Sequence, residues 1–275
     1  MKKNTILMEA ILKRIEHELD VLTVAKVSKF SGFSYYHFHR LFLSHTGESI
    51  KKYILRLRLQ RAIQQLKIDK LSITEIAHNA GFECSSSFNK AFKSMFSTSP
   101  SDYKSISFQK QKDIKAMKPI RTETITDIKV YSVRNVGPYN TSHKAWETLM
   151  SFAYSNKIKH KKNLMGPKAK IFGVSFDDPD VVDSDKLRYD ACITQDDQVD
   201  TPDQVNKSII KGGKYIIFLH KGAYEGLTDT YKSIYKYTLE NESLRDCPPF
   251  EQYLNRDPRR TKPENLRTEI WIPIE

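Results

Sequence analysis

Gly32-Phe33-Ser34-Tyr35-Tyr36-His37-Phe38-His39-Arg40-Leu41-Phe42 and Gly81-Phe82-Glu83-Cys84-Ser85-Ser86-Ser87-Phe88-Asn89-Lys90-Ala91-Phe92 repeat one pattern. Each follows a short apolar helix (Val24, Ala25, Val27; Ile76, Ala77, Ala80) and passes through Gly-Phe and a polar run to Phe-x-Lys/Arg-x-Phe. A helix, a glycine turn and a second helix with polar side chains at its start is the arrangement of a helix-turn-helix that enters a major groove. Two such devices in one basic region imply a reader of DNA sequence.

Working outward, Ile6, Ala10, Ile11, Ile15 and Leu19 recur at helical spacing, so an amphipathic helix is expected over the first twenty or so residues. Thr23 and Ser34 are expected to cap the two helices of the first device, and Ser72 or Thr74 the second. Between the devices, Glu48 to Leu66 contains neither Gly nor Pro and carries Ile50, Tyr53, Ile54, Leu57, Ala62, Ile63 and Leu66. A helix there can hold two reading heads at fixed separation. Pro100 follows the last helix of the second device.

Charge divides the chain. Of its net +12, residues 1–118 carry 21 Lys+Arg against 10 Asp+Glu, a net of +11, and the remainder is nearly neutral. Such concentration matches a phosphate-binding footprint. No apolar stretch approaches the roughly 20 residues of a membrane span, and Met1-Lys2-Lys3-Asn4 lacks the apolar run of a secretory signal. The expected location is cytoplasmic, at the bacterial nucleoid, with no membrane partner. Cys84, Cys192 and Cys247 are widely spaced, without CxxC pairs, and suggest neither a disulfide framework nor a zinc site. No cofactor and no metal are implied.

Residues 5–107 resemble the AraC/XylS-type transcriptional regulators. Arg56-Leu57-Arg58-Leu59-Gln60-Arg61-Ala62, Ile73-Thr74-Glu75-Ile76-Ala77, Gly81-Phe82, Phe88-Asn89-Lys90-Ala91-Phe92-Lys93 and Ser99-Pro100-Ser101-Asp102-Tyr103 carry the resemblance. Two positions depart from the family: Ser97 stands where Gly is usual, and Lys90 where Arg is usual. The resemblance places the base-reading surface on Tyr36, His39 and Arg40 in the first head and on Ser85, Ser86, Asn89 and Lys90 in the second. Helical spacing agrees, since Phe38, Leu41, Phe42, Phe88 and Phe92 then point inward, as do Phe33 and Phe82 from the turns. Arg40 can fork onto guanine O6 and N7, so the first head is expected to discriminate more strongly. His37, Lys51 and Lys52 are surface residues or phosphate contacts.

After the polar segment Lys110–Pro119 the pattern becomes strand-like, starting with the run Thr124–Val133. A second duplication follows. Gly137-Pro138-Tyr139 precedes a helix with Trp146, Leu149 and Phe152, and Gly222-Ala223-Tyr224 precedes one with Tyr231, Ile234 and Tyr237. Asp178-Pro179 leads to Leu187-Arg188-Tyr189-Asp190, and Asp257-Pro258 to Leu266-Arg267-Thr268-Glu269. The expected fold is thus an all-α tandem helix-turn-helix domain (1–107) and a linker (108–120), then an α+β domain (121–275). That domain holds two strand-helix-strand-strand repeats in one antiparallel sheet with the helices on one side.

A concavity is expected where the repeats meet, with Tyr139, Trp146, Phe172, Tyr224, Tyr231, Tyr253 and Trp271 near it. Glu251 lies in the strand Phe250–Leu254, where alternation alone leaves it facing solvent or the cleft. An aromatic cleft with one carboxylate suits a flat or lipophilic cation. Residues 121–275 resemble the GyrI-like effector-binding domain through Phe250–Asn255, Asp257-Pro258 and Leu266–Ile274. The resemblance implies that Glu251 faces the ligand; Glu269 is the runner-up and could instead pair with a lysine or arginine.

The expected function is that of a sequence-specific regulator, an activator by resemblance, not an enzyme. Its expected partners are double-stranded promoter DNA, a small effector and RNA polymerase. Two alternatives compete: a small-molecule hydrolase using Glu251 with Tyr139 or Tyr224, and a DNA-binding protein without sequence preference.

Overall fold

The structure is a computed structural model of the 275-residue chain. It describes residues 2–19, 26–27, 31–66, 71–111, 114–158, 169–179, 182–195, 199–245, 247–255 and 260–275. Thr23, Val24 and Ala25 lie outside the described residues. The chain forms two compact units, Met1–Lys110 and Gln111–Glu275. None of the helices described is long and apolar enough to cross a membrane.

The first unit is helical: α1 (Lys2–His17), α2 (Tyr35–Thr46), α3 (Ile50–Leu66), α4 (Ile73–Asn79), α5 (Ser85–Phe96) and α6 (Pro100–Gln111). Met8, Ile11 and Ile15 of α1 pack with Leu19, Val27, Phe38, Phe42 and the first half of α3. Met8 takes the core position expected of Ala10, which is exposed. The second half of α3 buries Ala62, Ile63 and Leu66, and α3 packs on α4. Its 17 residues span about 25 Å at 1.5 Å per residue, so one rod contributes to both cores. From it, Arg56 donates to Glu48, two residues before the helix starts, at 2.9 and 2.6 Å, a buried ion pair.

Local chemistry sets the helix ends. Ser72 and Glu75 form a reciprocal capping box at α4. Ser34 precedes α2 in extended geometry but makes no side-chain cap. Both recognition helices end on a left-handed residue, Gly47 (φ 74°) and Ser97 (φ 57°), so the departure from the family's Gly falls on a conformation that favours glycine. Pro100 does more than end the second device. With Ser99 accepting from the Asp102 backbone N–H, it starts α6, which runs to Gln111.

The second unit holds β1 (Arg121–Ile125), β2 (Ile128–Val136), α7 (His143–Ser155), β3 (Ile171–Ser175), β4 (Arg188–Thr194), β5 (Asn206–Ile210), β6 (Gly213–Lys221), α8 (Leu227–Asn241), β7 (Phe250–Tyr253) and β8 (Arg267–Pro273). The eight strands form one antiparallel sheet in the order β1-β6-β8-β7-β3-β4-β2-β5. The expected single run Thr124–Val133 divides at Thr126-Asp127, and each repeat gains a leading strand, β1 or β5, that pairs with the other repeat. Ile125 and Ile128 are three Cα steps apart, at most about 11 Å. They nonetheless belong to strands near opposite ends of the order, so the sheet curls until its edges meet. At the crossing, a Cβ on Gly212 would lie 2.7 Å from the backbone of Ile125, Thr126 and Asp127.

The duplication persists in the hydrogen bonds. Gly137 N–H donates to Leu187 O and Gly222 N–H to Leu266 O. Asp177 accepts the Arg188 backbone N–H at 2.8 Å, and Asn255 accepts that of Arg267 at 2.6 Å. The face inside the curl buries Val130, Phe172, Cys192, Tyr215, Ile217, Phe250 and Trp271, drawn from six strands. The other face carries both helices, α7 over Tyr131, Ala191 and Ile193 and α8 over Phe218 and Ile270.

Candidate functional site

On the first unit, helical periodicity turns Phe38 and Phe42 fully inward and leaves Tyr36 and Arg40 exposed, with His39 half-buried. Leu41 is half-buried, as are Phe33 and Phe82 in the turns; the Phe33 ring packs edge-on against His37 at 4.8 Å. On the second recognition helix Ser86, Asn89 and Lys90 are exposed, while Phe88 and Phe92 are buried. Ser85 is half-buried, and its hydroxyl donates to Thr74 at 3.3 Å. No acidic residue occupies the first turn of α2 or α5, so their N-terminal partial charge is available to phosphate. Cys84, unassigned on sequence, is the N-cap of α5; the Ser86 and Ser87 hydroxyls beside its sulfur lower its thiol to about 7.

The second unit gathers its aromatic residues around the junction of the repeats. Strand alternation puts Glu251 and Tyr253 of β7 on the helix-bearing face, opposite Gly173 and between α7 and α8. Glu251 is buried. Tyr231 of α8 donates to one carboxylate oxygen at 3.0 Å and Tyr253 to the other. The Tyr253 and Tyr189 hydroxyls are 2.8 Å apart, and Trp146 Nε1–H donates to Tyr189 at 3.2 Å. Each phenol has one proton to give, so an ionised Glu251 orients the chain as Trp146 to Tyr189 to Tyr253 to Glu251.

Burial raises the Glu251 carboxyl above its ordinary value, and the Tyr253 and Tyr231 hydrogen bonds oppose this only in part. Among the described residues, no cationic side chain is one of the groups that act on it. Burial and the nearby carboxylate push Tyr224 up to about 12. Tyr224 and Trp146 stand edge-on to Tyr253, each 5.5 Å between ring centres. Tyr139 meets the Tyr189 ring at 6.2 Å, but its hydroxyl donates to Asp177 O.

Of the residues expected in the cleft, Tyr139, Trp146, Tyr224, Tyr231, Tyr253 and Glu251 are brought together. Phe172 and Trp271 are not: β3–β7 and β7–β8 register puts them inside the curl, against Phe250, on the opposite face from Glu251. Glu269 also faces that side and takes a bidentate bond from Arg121 at 2.6 and 2.8 Å. The phenols on Glu251 are Tyr231 and Tyr253, not Tyr139 or Tyr224, the partners that the hydrolase alternative gives it. Tyr189, which no sequence signal assigns to the cleft, is set on the same face by the β3–β4 register that pairs Ala191 with Gly173.

Gly173 completes the arrangement. A Cβ there would lie 2.4 Å from the Tyr189 hydroxyl and 2.6 Å from that of Tyr253.

Residues 118–275 match the family model of the GyrI-like small molecule binding domain, and residues 9–106 match that of a helix-turn-helix domain. Over 274 residues the chain is 23% identical to the transcriptional regulator Rob of Salmonella typhimurium, covering 94% of this chain and 95% of that protein. It is 33% identical over 111 residues to the multiple antibiotic resistance protein MarA of Escherichia coli, covering 39% of this chain and 87% of that one. Among solved structures, the cryo-EM structure of the EcmrR–DNA complex aligns with 88% of this chain and 82% of its own, at 18% identity and a TM-score of 0.47.

Proposed function

Because the chain belongs to the family of GyrI-like small-molecule binding domains, here carried behind an AraC-type helix-turn-helix domain, we propose that it is a promoter-binding activator switched by a small lipophilic cation. The observation that carries the effector class is Glu251: a buried carboxylate hydrogen-bonded by two phenols and ringed by aromatic side chains, with no cation acting on it among the described residues. Ring faces attract a cation, and the carboxylate supplies its countercharge. Tyr139, Trp146, Tyr189, Tyr224, Tyr231 and Tyr253 line the site in this proposal.

Tyr36, His39 and Arg40 read bases from the first head, and Asn89 and Lys90 from the second. Ser85 and Ser86 contribute shorter contacts that suit phosphate. RNA polymerase is the partner of the activated complex, and turnover of the effector is not part of the function. Selection of duplexes from random DNA by the full chain tests the reader. Enriched duplexes should outcompete random DNA; equal competition contradicts sequence reading. A loss of electrophilic small molecules on incubation with the chain would contradict pure sensing.

A further inference from the structure

The segment expected to be a linker is held at its far end. The backbone N–H of Met117 donates to Ser233 O of α8 at 3.0 Å, and that of Ile120 to Ile217 O of β6 at 2.8 Å. The Met117 side chain packs on the cluster of Ile216, Phe218, Ile234 and Ile270 under α8. Residues 114–120 therefore form a strap across the second unit.

The acceptor of the Met117 bond is placed close to the effector site. Ser233 lies two residues from Tyr231, whose hydroxyl donates to Glu251. Both belong to one turn of a regular helix, so a displacement at Tyr231 moves the Ser233 carbonyl with it. On the other side of the strap, only Lys112 and Asp113 separate Ile114 from the end of α6. Helix α6 is itself anchored in the DNA-reading unit: Tyr103 packs on Phe92 of α5 with ring centres 5.9 Å apart, and Lys104 donates to Leu71 O.

Resting on the effector assignment above, we propose that residues 114–120 are the coupling element of the protein, latched to α8 through Met117 and reset when a ligand beside Glu251 engages Tyr231. A ligand can shift the strap only if its affinity differs between the latched and unlatched arrangements. Tyr231 provides the difference, because the one phenol that bonds Glu251 from a helix also shares that helix with the latch. The second phenol on Glu251, Tyr253, lies on β7, which does not carry the acceptor of the Met117 bond.

The test uses the full chain, tetraphenylphosphonium as the cationic probe, and a duplex selected by the chain from random DNA. In the unmodified chain, hydrogen exchange of 114–120 should change on adding the probe, and duplex affinity should change by about fivefold or more, within the usual range of coupling. Met117→Pro removes the donor to Ser233. It should bind the probe within about twofold of the unmodified chain, while its duplex affinity becomes indifferent to the probe. Unchanged exchange at 114–120 in the unmodified chain, which requires no variant, overturns the coupling role; so does a probe response retained in Met117→Pro. If the probe binds to neither chain, the effector assignment itself fails and the strap proposal falls with it.

Discussion

Gly173 and Glu251 are cross-strand partners in the β3–β7 pairing, the central pair of the eight-stranded sheet. The two repeats meet there, and at that point they differ in residue type. One repeat supplies the carboxylate; the other supplies an absence of side chain that admits Tyr189 and Tyr253 to the hydrogen-bond chain ending on it.

Gly173→Ala should therefore damage the site without touching Glu251. The added methyl would meet two hydroxyls that are fixed by their own hydrogen bonds, a case of overpacking that costs about 1 to 3 kcal/mol. Urea denaturation of the variant measures the cost. Loss of probe binding beyond that of Phe172→Leu, a change inside the curl, separates the cleft from general destabilisation.

The charge state of Glu251 ties stability to pH. Its carboxyl is raised by burial, so the folded chain holds this proton more tightly than the unfolded chain does. The contribution of Glu251 to stability is then fully present below the ordinary carboxylate value and is lost as pH rises through the raised one, by at most about 1.4 kcal/mol per pH unit. Glu251→Gln should be more stable than the unmodified chain at pH values above that window, with the advantage shrinking as pH falls. Thermal melts across pH check the slope, and a constant difference would contradict a carboxyl raised by burial.

Ser97→Gly should stabilise the first unit. Ser97 closes α5 at φ 57°, and Gly47 shows the relaxed solution at the end of α2. Relief of left-handed strain outweighs the extra freedom of the unfolded glycine by about 0.5 to 1 kcal/mol, visible as a raised melting midpoint.

Arg40→Ala should relax selectivity at one base position of the first half-site by about tenfold or more, if the guanidinium forks onto guanine. Lys90→Ala should relax selectivity at one base position of the second half-site; even weakening of all duplexes with a flatter salt dependence would contradict its base-reading role. Duplex selection with each variant distinguishes these outcomes.

Much of this was legible in the sequence for local reasons. The Gly-Phe turns, Ser72 with Glu75, and the period of α1 and α3 are signals carried within a few residues. The second duplication was legible because Gly137-Pro138-Tyr139 and Gly222-Ala223-Tyr224 perform the same turn with the same bond. What could not be read was pairing. That β1 leaves its own repeat to pair with β6 depends on the curl of the whole sheet, and the curl also decides the face of Phe172 and Trp271. Both aromatic residues look identical to cleft residues in composition, and strand alternation assigns a face only once register with Glu251 is known. The strap was hidden for a related reason: Lys112 to Pro119 is polar and unpatterned, and its bonds run through backbone atoms that no side chain announces.

The central claim is that Glu251 serves as the countercharge for a cationic effector within an aromatic cleft. Calorimetric titration of the full chain with tetraphenylphosphonium, and with the neutral triphenylphosphine oxide, tests it most directly. The cation should bind more tightly than the oxide, and Glu251→Gln should weaken it by about tenfold or more, or about 1.4 kcal/mol, while changing the oxide little. Equal losses for the two compounds, or no loss for either, would contradict it.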